Sequence, residues 1–225
     1  MRLTDFTGAR RIPLIGRRAF LDEASQRLRR GGVHLLYFEG EGGIGKTALL
    51  ETILQRSCHE GEDRVPYTGI VAEENIDLYH VDVHTPEGLI RRIVQVLDRR
   101  AFPQTQKLLN SLDWARSVGD VDSVSDEPGT LHSAFLQEFA DLAEEGIVLA
   151  FDTLEVLEYE RDPFQEEMGA EIPILSTGEW LFSSFFPTLQ GNCLILLAGR
   201  PDGARTRLRA LRQRNPRIQL RLAQV

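Results

Sequence analysis

The stretch FEGEGGIGKTALL, Phe38 to Leu50, decides the fold. Four glycines fall within positions 40–45, Lys46 and Thr47 close the run, and an apolar helical spacing follows. Residues 40–47 satisfy G-x-x-x-x-G-K-[ST], a pattern with a mechanism only where a strand leads in and a helix leads out. VHLLYFEG (33–40) supplies the strand, a short apolar run stopped by glycine, as in a strand buried on both faces. TALLETILQRSC (47–58) supplies the helix. Glycines let backbone N–H groups converge on phosphate oxygens with no Cβ in the way, and the helix presents its positive end to the same anion. Gly42, Gly43, Ile44, Gly45 and Ala48 are therefore candidate phosphate contacts. Lys46 would sit between β- and γ-phosphates and the Thr47 hydroxyl on Mg²⁺.

A magnesium ion needs a carboxylate as well. IVLAFD (147–152) reads as a second buried strand, and Asp152 at its end would lie at the C-terminal edge of the sheet beside the phosphate loop. Glu155, three residues on, is a candidate base for polarising an attacking water, with Glu158 as its rival. NCLILLAG (192–199) is a third buried strand. Arg200 follows it at the same edge, where a guanidinium could sense a γ-phosphate.

The remaining chain fits around these strands. PYTGIVAEENIDLYHVDVH (66–84) reads as two strands joined by a polar turn at Glu73-Glu74-Asn75. Thr85 and Pro86 then start the helix TPEGLIRRIVQVL. Residues 99–129 show weak periodicity and read as a loop or insertion. Thr130 is placed as the cap of LHSAFLQEFADLAEEG, whose Leu131, Phe135, Phe139 and Leu142 share one face. Thr177 is placed as the cap of GEWLFSSFF, whose aromatics Trp180, Phe182, Phe185 and Phe186 read as core. GARTRLRALRQR (203–214) is a last helix before the strand-like RIQLRLA. Strands alternating with helices predict an α/β fold, a mostly parallel sheet with helices on both faces.

Bulk properties narrow the function classes. Hydrophobic residues are 42% and charged residues 27% of 225, a globular balance, and no apolar run reaches the roughly 18 residues of a bilayer span. Two cysteines, Cys58 and Cys193, make neither a disulfide framework nor a metal set and suit a reducing, cytoplasmic setting. His80, Asp82 and His84 would share a face on a strand, but without a third histidine they read as a polar sheet end. Net charge is −8, which argues against nucleic acid as a partner. The charge is uneven: residues 141–171 hold eleven acids against one arginine, and 200–221 hold eight arginines against one acid. Two solvated faces, or an electrostatic contact between subunits, would both account for this.

Four stretches, LIGRRAFLDEASQRL (14–28), FEGEGGIGKTALL, IVLAFDTLE and LILLAGRP, together resemble the nucleotide-binding domain of the STAND signal-transduction ATPases, which include the NACHT and apoptotic-ATPase groups. The resemblance spans residues 14 to about 200. It implies that Gly16 and Arg17 neighbour the base and ribose. Family members often carry a glutamate three positions after that arginine, where this chain has Phe20, with Asp22 and Glu23 nearby. Thr153 replaces the second acid of the common Asp-Asp or Asp-Glu pair, and a NACHT-like spacing favours Glu155 as base. The implied strand order is 2-3-4-1-5, with the Arg200 strand between the loop strand and the Asp152 strand. Family proteins continue into helical and winged-helix domains, so this chain is expected to be one nucleotide-binding module (1–225, with 1–32 as its lead-in) of a larger protein.

The function expected from this reading is binding of Mg-ATP, with slow hydrolysis to ADP, in a switch that controls self-association and answers to sensor and effector domains outside the chain. No guanine-reading Asn-Lys-x-Asp occurs, which favours adenine. Two alternatives belong to other classes: an AAA or origin-loader ATPase coupled to nucleic acid, and a module that keeps ATP or ADP without turning it over.

Overall fold

The computed structural model describes residues 17–55, 69–119, 127–158, 176–201 and 204–225. Its centre is a parallel sheet of β1 (Val33–Glu39), β2 (Ile70–Val71), β3 (Ile76–Asp77), β4 (Ile147–Asp152), β5 (Cys193–Gly199) and β6 (Gln219–Gln224). The order is β2-β4-β5-β1-β6, with β3 also paired to β4. Numbered by major strand this is the expected 2-3-4-1-5, and β5, which leads to Arg200, lies between the loop strand and the Asp152 strand.

Both faces of the sheet are covered, and the strand sequences show why. Along β1, Val33, Leu35 and Tyr37 enter one apolar cluster while Leu36 and Phe38 enter a second on the opposite face. Such two-sided burial requires the uninterrupted apolar runs seen in β1, β4 and β5. On the second face lie α1 (Arg18–Arg30), through Ala24 and Leu28, and α2 (Lys46–Thr52), through Leu49 and Leu50. Phe20 of α1 packs edge-on against Phe38 at 5.7 Å, so the position where a family glutamate was sought is an apolar anchor. The first face carries α3 (Pro86–Leu97), α4 (Pro103–Val118), α5 (Glu127–Glu145), α6 (Thr177–Trp180) and α7 (Ala204–Arg214). A π-helical stretch, Leu181–Phe185, prolongs α6. Trp180, Phe185 and Phe186 are fully buried there, as expected of core aromatics, and Arg207 caps the Phe182 ring at 5.4 Å.

Several local expectations are corrected. The 66–84 stretch is not a pair of long strands: β2 and β3 have two residues each, both pair in parallel with β4, and 81–83 form a 3-10 turn. His80, Asp82 and His84 therefore do not alternate on a strand, and among the described residues no group of three or more His, Cys, Asp or Glu gathers for a metal. Residues 103–118, expected within a loop or insertion, form the 16-residue α4, whose moderate amphipathicity buries Thr105, Leu109, Leu112 and Ala115. Thr130 is inside α5 rather than at its start. Ser176, not Thr177, caps α6 by accepting from the Glu179 N–H at 3.1 Å, and the Thr177 hydroxyl instead donates to the Val83 carbonyl at 2.8 Å. Thr85 does cap α3, accepting from the Gly88 N–H at 3.2 Å. Among the described residues no helix is long and apolar enough to cross a membrane.

Candidate functional site

The phosphate loop spans the gap between the end of β1 and the start of α2, at the C-terminal edge of the sheet. Its conformation needs its glycines. Gly45 has φ +86°, in the left-handed region, and a Cβ on Gly40 would overlap the Ile44 side chain and lie 3.1 Å from the Val225 carbonyl oxygen. The Leu49 N–H donates to the Gly45 carbonyl at 3.1 Å, which starts α2 directly from the loop.

Lys46 is buried and its Nζ donates to the carbonyls of Gly40, at 2.7 Å, and Glu41, at 2.9 Å. The ammonium is thus folded over the concave side of its own loop. Thr47 is exposed, and its hydroxyl donates to Oδ2 of the buried Asp152. Asp152 Oδ1 accepts from the Thr153 N–H at 2.8 Å, so both carboxylate oxygens are fixed. This joins residues 105 positions apart into one group with a hydroxyl and a carboxylate, both hard oxygen donors.

Glu155 and Arg200 meet on the other side of the loop. The Arg200 N–H donates to Glu155 Oε2 at 3.2 Å, and its Nε lies 3.5 Å from Oε1. The Arg200 Nη2 is 3.7 Å from where a Cβ on Gly42 would stand, so the guanidinium overhangs the loop. Tyr37, buried in β1, donates its hydroxyl to the Arg200 carbonyl at 2.5 Å and holds the strand end in place. Arg17 approaches from α1: Nη1 donates to the Gly45 carbonyl at 2.6 Å and Nη2 to the Ile44 carbonyl. Gly42 and Gly43 are exposed on the loop, and Ala48 continues α2 with its carbonyl bonded to the Thr52 hydroxyl. Of the positions singled out in the sequence, Gly16 lies outside the described residues, as does the Glu158 side chain. The other candidate nucleotide and magnesium residues lie on this loop and its helix, at and just beyond the ends of β4 and β5, and at Arg17.

Sequence reasoning passed over two acids. Glu39 closes β1 one residue before the loop, is almost fully buried, and is gripped by Arg205 of α7, whose Nε lies 3.0 Å from Oε2 and whose Nη2 bonds Oε1. Asp77 closes β3 and stands in register with Asp152. Both end a strand with an acid, as Asp152 does.

The arrangement fits a nucleotide triphosphate with a divalent cation. The loop follows a strand and opens a helix with Gly43 and Gly45 in the left-handed region, one ammonium and two guanidinium groups lie against it, and the oxygen donors Thr47 and Asp152 sit at its helix end. The model of the AAA ATPase domain matches residues 13–170, well over half of the chain. The chain belongs to the AAA ATPase domain family. The matched part of this AAA ATPase domain holds the loop, Asp152 and Glu155, and ends before Arg200. No curated protein sequence matches it. Among solved structures, the Aeropyrum pernix ORC2 protein, determined as ADPNP-ADP complexes, is similar with a TM-score of 0.50 at 15% identity. The likeness covers 94% of this chain and 48% of that one, so the chain spans about half the length of its structural neighbour. At that identity the likeness bears on the fold, a P-loop α/β sheet.

Proposed function

We propose that this AAA ATPase domain binds Mg-ATP at the phosphate loop, hydrolyses it slowly, and uses the presence of the γ-phosphate as a switch. One observation carries the reading: the groups that would face a triphosphate are now bonded to one another. Lys46 holds loop carbonyls, Thr47 holds Asp152, and Arg200 holds Glu155. Nucleotide would exchange those partners, and a γ-phosphate would engage Lys46 and Arg200 in contacts that ADP lacks. Only such differential contacts shift a conformational equilibrium. Roughly 5.5 kcal/mol moves a two-state element from 1:99 to 99:1, and charge-assisted hydrogen bonds of about 1.5–3 kcal/mol each supply it in two to four contacts.

In this reading Lys46 and the loop amides bind the phosphates, and Arg17, already against Gly45, flanks the nucleoside side together with Gly16. Thr47 and Asp152 hold Mg²⁺, which neutralises the developing charge on the phosphates when bound. Glu155 orients and deprotonates the attacking water, once its carboxylate leaves the Arg200 N–H. Arg200 bonds the γ-phosphate. The STAND-like form, in which the switch governs self-association, draws on the Gly16-Arg17 segment and on the Asp152 to Glu155 spacing.

A second reading, an ATPase coupled to nucleic acid, draws on α7 and the turn after it, where Arg209, Arg212, Arg214 and Arg217 are exposed. One set of measurements separates the two. Light scattering of Glu155→Gln with ATP, with ADP and with neither should show assembly with ATP alone under the first reading. DNA-stimulated turnover with a steep salt dependence points to the second. Absence of ATP binding by calorimetry removes both.

A further inference from the structure

Asp77 lies one strand beyond the metal end of the site. In the register of β3 against β4, Ile76 stands beside Phe151 and Asp77 beside Asp152, and the Leu78 N–H donates to the Asp152 carbonyl at 3.2 Å. Ile76 and Phe151 both enter the apolar cluster on the first face, so the alternation of side chains puts Asp77 and Asp152 together on the face that carries α2. Between them stands Thr153, with φ +60°, the only non-glycine residue in the left-handed region among the described residues. A β-branched residue adopts that conformation only where its surroundings impose it.

The bonds that impose it are specific. The Thr153 hydroxyl donates to Asp77 Oδ1 at 2.7 Å, and its N–H donates to Asp152 Oδ1 at 2.8 Å. Asp77 Oδ1 is itself fixed by the Tyr79 N–H at 3.0 Å. Asp152 Oδ2 then takes the Thr47 hydroxyl. Asp77, Thr153, Asp152 and Thr47 therefore form one unbroken chain of hydrogen bonds. Asp77 is half-buried, at the wall of a cleft of about 570 Å³ that also holds Asp82 and Arg116.

We propose that Asp77 is a positioning residue for the divalent cation: by anchoring the Thr153 hydroxyl it holds the turn after β4, and with it the orientation of the Asp152 carboxylate toward Thr47. The inference rests on the reading that Thr47 and Asp152 hold Mg²⁺. It explains why Thr153 follows Asp152 where a second acid is common: the second carboxylate of the site comes from the neighbouring strand and acts through the threonine hydroxyl. Partners that orient a metal ligand change metal affinity by about 10–100-fold when removed.

The test measures a fluorescent ATP analogue bound to the chain as MgCl₂ is titrated, and again in EDTA. Asp77→Ala should need at least about 10-fold more Mg²⁺ for half-maximal effect while its metal-free affinity stays at the wild-type value. Thr153→Val, which removes the same Asp77 hydrogen bond from its donor side and guards against misfolding of the first variant, should show the same shift. The double variant should show no further shift, and Thr153→Ser, which keeps the hydroxyl, should behave as wild type. Equal Mg²⁺ dependence in wild type and Asp77→Ala overturns the role of Asp77 and leaves the nucleotide site intact. Equal losses with and without Mg²⁺ overturn it too, since they mark a structural role. A wild-type chain that binds the analogue with no Mg²⁺ dependence overturns the metal reading and this inference together.

Discussion

Glu155 and Arg200 hold each other across two strand ends: the carboxylate takes both the backbone N–H and the side-chain Nε of the arginine. A water attacking under the proposed role of Glu155 would have to share this carboxylate with Arg200, whose N–H bonds Oε2 and whose guanidinium pairs with Oε1. Binding of a γ-phosphate to Arg200 would free it, so recognition and chemistry are linked through one pair. Glu155→Gln should keep ATP affinity within a few fold and lower turnover by about 10²–10⁴-fold. Arg200→Ala should narrow the preference for ATP over ADP. Turnover in Glu155→Gln equal to wild type, read from phosphate release, would move the base elsewhere.

Lys46 makes its loop bonds at 2.7 and 2.9 Å to the carbonyls of buried Gly40 and exposed Glu41, and only the second residue is open to water. Deleting the Lys46 side chain should remove the cation that would face the phosphates, at a folding cost of about 1–3 kcal/mol for one buried carbonyl left without this partner. Lys46→Ala is expected to lose detectable ATP binding in calorimetry while it still folds, its thermal midpoint falling by about 2–4 °C for each kcal/mol lost in a domain of this size. Retained ATP affinity would take the loop out of the mechanism.

Strands β1, β4 and β5 were legible because two-sided burial leaves a direct mark, mostly apolar runs of seven, six and seven buried positions that end in an acid or a glycine, whereas their order came from the family resemblance. The elements that misled were those in which tertiary contacts override pattern. β2 and β3 are too short to leave a period, and each borrows its hydrogen bonds from one end of β4. The start of α4 is secured by Glu138 of α5, which accepts from the backbone N–H groups of Gln104 and Thr105 at 2.7 and 3.0 Å, a partner some thirty residues away that local reading cannot supply. Asp77 and Glu39 were passed over for the same reason, since each gains meaning from a partner far along the chain, Thr153 for Asp77 and Arg205 of α7 for Glu39.

Glu39 is nearly fully buried one residue before the loop, and Arg205 is the cation that offsets it. Removing that cation leaves a carboxylate short of its partner, and hydrogen bonds to charged groups contribute about 1.5–3 kcal/mol. Arg205 is itself over a third exposed, so water partly replaces it and the lower half of that range applies. Arg205→Ala should lower stability by about 2 kcal/mol in urea unfolding. Arg205→Ala combined with Glu39→Gln should recover part of the loss, because the neutral amide needs no cation. A double variant no more stable than the single one would show that the charge of Glu39 is not the source of the effect.

Stability should also fall in mild acid, through two histidines. His34, at the start of β1, has its pKa lowered from 6.5, first by burial and then by the charges of Arg27 and Arg30, against the opposing hydrogen bond to the Gly31 carbonyl. The pKa of His132 on α5 is likewise lowered from 6.5, first by burial, with Glu87 opposing. Below pH 6.5 the unfolded chain takes up protons that the folded chain does not, so folding is disfavoured as pH drops toward the folded-state pKa values. Full stability is therefore present above about pH 6.5 and declines beneath it. Urea midpoints at pH 7.5 and 5.5 should differ in wild type, and the difference should shrink in His34→Gln with His132→Gln. Carboxylates titrate alike in both chains, so the contrast between chains isolates the imidazoles, and an equal pH dependence in the two would exclude them as its source.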